Sequence, residues 1–235
     1  PASRSPPFRP RAPGRARGKR QPDDLSEELR PLSVRLVHFA EDGDTSGFFP
    51  ALGKYHDRSR YSMSFGTLKP TAPELAAFMA DQEVPTFSCG ARSRLGYGAA
   101  ILRLSRRLRL DGCRVFHAHL FDASVVGLCA ATIARVPVRV LTRHYSNYHT
   151  RINRPAHVAL DRLCTRLSHR VIAVSGETAD HLVRVEKAPS EKVVTIHNGI
   201  DFERIRASNG DVRSRIREEL GVRDVFLFLV AGRLH

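Results

Sequence analysis

Short runs of β-branched and aromatic residues alternate with amphipathic segments along this chain from about residue 34 to its end. "VRLVHFA" (34–40) opens the series as a core strand, and the turn cluster "EDGDTSG" follows it. "RYSMSFG" (60–66) and "VPTFS" (84–88) read as the second and third strands. Between them, "TAPELAAFMADQ" (71–82) predicts a helix with Thr71 as N-cap, Pro73 and Glu74 in the first turn, and Leu75, Phe78 and Met79 at helical spacing. Residues 96–110 place Ile101, Leu104 and Leu108 on one helical face and arginines on the other. Later strands are "CRVFHAH" (113–119), "PVRVLTRH" (137–144), "HRVIAVS" (169–175), "EKVVTIHNGID" (191–201) and "DVFLFLVAG" (224–232). Helices fall between them at 122–136, 155–168, 176–186 and 211–221, with Asp122 capping the first and Gly221 closing the last.

Several of these strands are apolar on both faces, as strands covered by helices on both sides must be. The alternation therefore predicts an α/β fold, a Rossmann-like doubly wound parallel sheet with helices on both faces. Ligands of such sheets sit beyond the carboxyl ends of the strands. The polar residues found there are Gly43, Ser46 and Gly47 after the first strand, then His119 and Asp122, then Thr142, Arg143, His144 and Tyr145. Ser175, His197, Asn198, Gly199, Asp201 and Arg233 complete the set. Each also has a plainer reading. Asn198-Gly199 is a turn dipeptide, since both residues tolerate positive φ, and Ser175 suits a helix cap. His117, one pleat back, reads as a satisfied buried histidine, and His119 divides between core and cleft.

Composition narrows the classes. The net charge is +14, but half of the excess lies in residues 1–20, which carry seven Arg/Lys and no acid. A Pro/Arg-rich segment of that kind cannot bury enough apolar surface to order itself, so residues 1–31 read as a disordered basic tail. The rest is not basic enough to specify nucleic acid. The basic face of 96–110 leaves peripheral contact with a membrane open beside its plainer reading as a solvated face. The longest apolar run, 123–134, is too short to span a bilayer. Cys89, Cys113, Cys129 and Cys164 form no CxxC pair, which fits reduced structural thiols and a cytoplasmic setting. A chain that lacks an initial Met and stops on "FLFLVAGRLH" reads as a piece of a longer protein.

Two chemistries are excluded by motif. The run His117-Ala118-His119-Leu120-Phe121-Asp122 lacks the HxHxDH order of metal-binding hydrolases, so no metal is expected. GxGxxG and GxxxxGK[ST] phosphate loops are absent.

"VFHAH", a strand ending "TRH", "RVIAVSGETADHL", "EKVVTIHNGID" and "FLFLVAGRL", in that order, resemble the GT-B glycosyltransferases of family 4. The resemblance implies an enzyme of two facing Rossmann-like domains that transfers a sugar from a nucleotide-sugar donor, with retention of configuration and without a metal cofactor. On that reading residues 32–221 are the acceptor-side domain and 222–235 begin the donor domain. It also implies that His119 is the catalytic histidine facing the cleft, and that Gly43 to Gly47 line the acceptor side. Asn198 and Gly199 would lie near the domain crossover, and Arg233 would contact the donor diphosphate; Tyr145 and Ser175 are assigned to the cleft by their strand-end positions alone. The acceptor would be a sugar, a lipid or a small metabolite. Two other classes stay open: an epimerase of similar fold acting on nucleotide sugars, and a non-catalytic binding module whose basic tail meets anionic partners.

Overall fold

In the computed structural model, which describes residues 33–42, 47–145, 154–201, 210–222 and 225–228, seven parallel strands form one sheet in the order β3-β2-β1-β4-β5-β6-β7. The elements in chain order are β1 (Val34–Ala40), α1 (Phe48–Tyr55), β2 (Tyr61–Thr67), α2 (Pro73–Asp81), β3 (Thr86–Ser88), α3 (Tyr97–Leu110) and β4 (Val115–His119). They continue as α4 (Phe121–Ile133), β5 (Val138–Arg143), α5 (Pro155–Leu167), β6 (Arg170–Ala173), α6 (Gly176–Arg184), β7 (Val193–Thr195) and α7 (Gly210–Glu219). The chain winds outward from β1 to β3, returns through α3 to β4, and continues to β7. The strand order thus switches between β1 and β4, the place where a doubly wound sheet opens a crevice.

Side-chain alternation divides the core into two layers. Val37, Phe39, Phe116 and Ala118 point into the larger layer, with Leu104 and Leu108 of α3, Val126 and Leu128 of α4, Cys164 of α5 and Leu182 of α6. Ala40, Met63 and Phe65 point to the other face, against Phe49 of α1 and Leu75 and Met79 of α2. His38 aligns with Phe65 on one side and His117 on the other, so the strand histidines share the α1 and α2 face.

Several local expectations are revised. Helix α1 went unpredicted. It carries Pro50 in its first turn, where the missing N–H costs nothing. Thr71 is not the cap of α2: Ala72 holds that position without a side-chain bond, and the Thr71 hydroxyl lies 2.7 Å from Thr67 Oγ1. Asp122 sits inside the first turn of α4, and Leu120 occupies the capping position at φ 64°. That left-handed backbone turns the chain sharply from β4 into α4. Val225–Phe228, within the expected last strand, pair with no strand of this sheet. Residues 1–31 lie outside the described residues.

Helix α4 presses on the sheet at Gly127, where an added Cβ would stand 2.7 Å from Phe116 Cζ and 2.9 Å from Phe39 Cδ1. Both rings are fully buried and cannot withdraw. Overpacking of this kind costs about 1–3 kcal/mol, against roughly 1 kcal/mol gained from the helix propensity of alanine. Gly127→Ala is therefore expected to lower stability by about 1 kcal/mol, seen as a lower urea midpoint at unchanged slope.

Candidate functional site at the carboxyl edge

At the switch point four imidazoles converge. His38 on β1 and His119 at the end of β4 meet with Nδ1 and Nε2 at 2.9 Å. His119 Nδ1 lies 3.3 Å from Nε2 of His144, the first residue after β5. His117, two residues before His119, places Nε2 at 2.7 Å from Thr142 Oγ1. The rings of His117 and His119 are 4.2 Å apart between centroids. Phe48 and Phe49 close the group from above, their ring centroids 5.6 and 5.4 Å from that of His119. Phe48 also meets His144 edge-on.

Burial sets the charge of this group. Desolvation holds His38 and His144 down at about 4 and pushes His117 and His119 well below the ordinary imidazole value. Neighbouring imidazoles add to the effect for His117 and His119, and His56 does so for His38. All four are neutral near pH 7. Neutral imidazoles are also metal ligands, and nitrogens of His38, His117 and His119 lie within 4.8 Å of one another. Both nitrogens of His119 are already engaged, so a cation that took His119 as a ligand would have to break its bond to His38 or to His144, and to use Nε2 of His117 it would break the bond to Thr142 as well.

The turn that carries His144 is anchored from below. Arg143 is buried, with Nη1 at 2.8 Å from Glu186 Oε1 and 3.2 Å from Asp161 Oδ1. The Tyr145 hydroxyl donates to Asp161 Oδ1 at 2.7 Å. Burial pushes the Glu186 carboxyl above its ordinary value, and Arg143 pulls it back part of the way.

The sequence-predicted residues fall into separate places. His119 sits at the centre of the cluster, but it is 0% exposed and both its nitrogens are spent on other histidines. It does not face open space as expected. Tyr145 turns inward to the Arg143 network rather than to a cleft. Ser175 is the N-cap of α6, its Oγ accepting from Thr178 N–H at 3.1 Å. Asn198 and Gly199 are exposed beyond β7, and neither takes the positive φ expected of a turn dipeptide. Gly47 caps α1 at φ 108°, a left-handed conformation that suits glycine. Gly43, Ser46 and Arg233 lie outside the described residues.

Two contributors were missed. His38 lay inside a run read only as a strand, and α1 supplies the two phenylalanines that roof the cluster. Helix α1 is also tied to the chain beyond β7, because Lys54 and Tyr55 donate to the Asp201 carboxylate at 2.8 and 3.0 Å. A cavity of about 330 Å³ lies at the opposite edge of the sheet, lined by Arg162, Arg166, Lys187 and Lys192. There the Lys192 ammonium donates to Ser168 O at the end of α5.

The pattern of Glycosyltransferase Family 4 matches residues 51–204. Among curated proteins, the chain is 25% identical over 157 residues to UDP-Gal:alpha-D-GlcNAc-diphosphoundecaprenol alpha-1,3-galactosyltransferase of Escherichia coli, covering 64% of this chain and 40% of that protein. It is 36% identical over 81 residues to D-inositol 3-phosphate glycosyltransferase 1 of Catenulispora acidiphila, covering 34% and 19%. Among solved structures, Anabaena HepE in complex with UDP superposes at a TM-score of 0.62 with 18% identity, over 81% of this chain and 51% of that one. UDP-GlcNAc 2-epimerase of Neisseria meningitidis bound to UDP-GlcNAc superposes at 0.58 with 13% identity, over 80% and 54%. At these identities the superpositions show the fold alone. The chain spans about half the length of these structures and less than half that of the curated relatives.

Two outcomes are expected. Above pH 6.5 the folded and unfolded chains both hold their imidazoles neutral, and the stability this cluster contributes is fully present. Below 6.5 the unfolded chain takes up protons that folded His38 and His144 refuse until about pH 4. Urea unfolding should therefore show stability falling from pH 6.5 to 4, by about 1.4 kcal/mol per pH unit for each histidine. Glu186→Gln removes one partner of a buried guanidinium and should cost about 3 kcal/mol in the same assay at pH 7.

Proposed function

The chain belongs to glycosyltransferase family 4, and from that premise we propose that it is the acceptor-side half of an enzyme that transfers a sugar from a nucleotide-sugar donor to an acceptor hydroxyl with retention of configuration. The observation that carries this reading is the cluster of neutral imidazoles at the switch point of the parallel sheet, roofed by α1. A neutral imidazole can hold a sugar hydroxyl by hydrogen bonding without bringing a competing charge to a site that must also receive a diphosphate. No hydrogen bond of the cluster runs to a carboxylate among the described residues, which gives no support to the paired-carboxylate chemistry of glycoside hydrolysis.

Residues 32–221 form the acceptor side on this reading, and 222–235 lead into the donor side. There Arg233 would meet the departing diphosphate as a bidentate donor. The donor class is supported by the UDP bound to HepE and the UDP-Gal named for the Escherichia coli relative. That relative's name also specifies a diphosphoundecaprenol-linked acceptor, so a lipid-linked sugar is one acceptor class to test beside free sugars and small metabolites. The reading requires no metal ion.

Peripheral membrane contact fits the surface of α3 and the turn before it. Leu95, Leu102 and Leu110 are exposed there among Arg103, Arg106, Arg107 and Arg109. No helix among the described residues is long and apolar enough to cross a membrane. The four cysteines are free thiols, and burial pushes Cys113 and Cys164 up to about 12, which keeps them protonated; a reducing, cytoplasmic setting is part of the proposal.

The test is transfer by the complete enzyme with a panel of UDP-sugars and lipid-linked, free-sugar and metabolite acceptors, reading the anomeric configuration of the product by NMR. Retention is expected, and residues 1–235 alone should show no sustained turnover. An inverted product, or turnover by this chain alone, would overturn the corresponding part of the reading. Flotation with vesicles should show binding to anionic but not neutral bilayers, weakened at least tenfold by Leu102→Asp with Arg106→Glu.

A further inference from the structure

The hydrogen bonds of the histidine cluster run in series. His38 Nδ1 meets His119 Nε2, and His119 Nδ1 meets His144 Nε2. The middle ring, with no exposed surface and no spare nitrogen, cannot reach a substrate in this arrangement. The series ends in two nitrogens that no hydrogen bond among the described residues engages, His38 Nε2 and His144 Nδ1; His38 is buried at 5% exposure, whereas His144 is only partly buried and stands at the carboxyl edge.

We propose that His144 is the imidazole this site presents to a substrate hydroxyl, and that His38, acting through His119, sets which of the His144 nitrogens carries the proton. A neutral imidazole has one N–H and one lone pair, so a chain of three admits two self-consistent orders. In the first, His38 Nδ1–H donates to His119 Nε2, His119 Nδ1–H donates to His144 Nε2, and His144 turns its Nδ1–H outward. In the second, His144 Nε2–H donates to His119 Nδ1, His119 Nε2–H donates to His38 Nδ1, and His144 turns an Nδ1 lone pair outward. Any other assignment sets two N–H groups or two lone pairs against each other in a buried gap of 2.9 or 3.3 Å. All three rings therefore carry the same tautomer, Nδ1–H throughout or Nε2–H throughout. His144 is outwardly a donor in the first order and an acceptor in the second. His117 stacks on His119 but stands outside this series, since its Nε2 is bonded to Thr142.

His38 and His119 are positioning residues on this account, and His144 is the contact. The wiring is a property of the chain itself. The identity of the hydroxyl as an acceptor sugar or a donor sugar rests on the transferase reading.

Two arms test it. Long-range proton–nitrogen correlation on the chain labelled with ¹⁵N-histidine, at pH 7.5, reads the tautomer of each ring. His38, His119 and His144 should share one tautomer. His38→Phe should change the nitrogen shifts of His144, and His38→Asn, which keeps a hydrogen-bonding atom near the Nδ1 position, should restore them. Mixed tautomers, a His144 signal indifferent to His38→Phe in a variant with a native amide spectrum, or stoichiometric zinc on His38, His117 and His119 would each overturn the wiring. In the complete enzyme, His144→Ala should lower kcat/KM about 100-fold. His38→Phe should lower kcat about tenfold with the donor KM unchanged, and His38→Asn should recover it. Full activity in His144→Ala would overturn the contact. An unmodified complete enzyme that transfers no sugar would instead refute the transferase reading, while the spectra still decide the wiring.

Discussion

A buried imidazole is tolerated only when it is neutral and its nitrogens find partners. At the carboxyl edge of β1, β4 and β5 that requirement is met in full at His119, whose two nitrogens bond His38 and His144, and Thr142 partners His117. The alignment of His38 with His117 makes it possible, because parallel pairing puts both rings on one face and the next residue on that face of β4 is His119. Moving β4 by one residue against β1 would turn both of its histidines into the apolar layer under α4. The strand register, the sharp turn at Leu120 and the placement of α1 over the edge all converge on this one arrangement.

Two supports hold it from opposite sides. Phe48 and Phe49 cover the rings with aromatic edges, which exclude water and so keep the imidazoles uncharged. Below, Arg143 gathers Asp161 from α5 and Glu186 from beyond α6. Because removing a member of a buried ionic group exposes the cost of the others, this network fixes the exit of β5 firmly, and with it the position of His144. Tyr145, which sequence position alone would assign to the cleft, is part of that anchor.

Much of the fold was legible in the chain, since apolar runs bounded by turn residues announce strands that helices cover on both sides. Ser175 also announced itself as a cap, with its helix directly behind it. Helix α1 did not, although Phe48, Phe49, Leu52 and Tyr55 carry helical spacing, because Pro50 and Gly53 disguise a segment of eight residues. The site was only half visible. The pair at 117 and 119 stood out by spacing, but His38 gains its meaning from a strand far along the chain, and no local pattern marks it. The inward turn of Tyr145 and the burial of His119 are likewise products of packing between distant elements. Glycosyltransferase family 4 membership supports the class of chemistry proposed and points to His119, whereas the packing buries that ring and leaves His144 the more exposed.

The sheet is unevenly clothed. On the face that α1 and α2 cover near β1 to β3, the far strands leave apolar residues in contact with solvent: Val138 of β5, Val194 of β7 and Ile196 just beyond it are exposed. Among the described residues strand β7 is also the edge of the sheet, with one row of its backbone groups unpaired by any further strand. Such a surface is adhesive, and mutual repulsion between molecules of net charge +14 opposes the adhesion. Repulsion of that kind reaches about 8 Å at physiological ionic strength and only about 3 Å in molar salt. The reach of that repulsion, and with it the exposure of these strands to one another, therefore depends on the ionic strength around the chain.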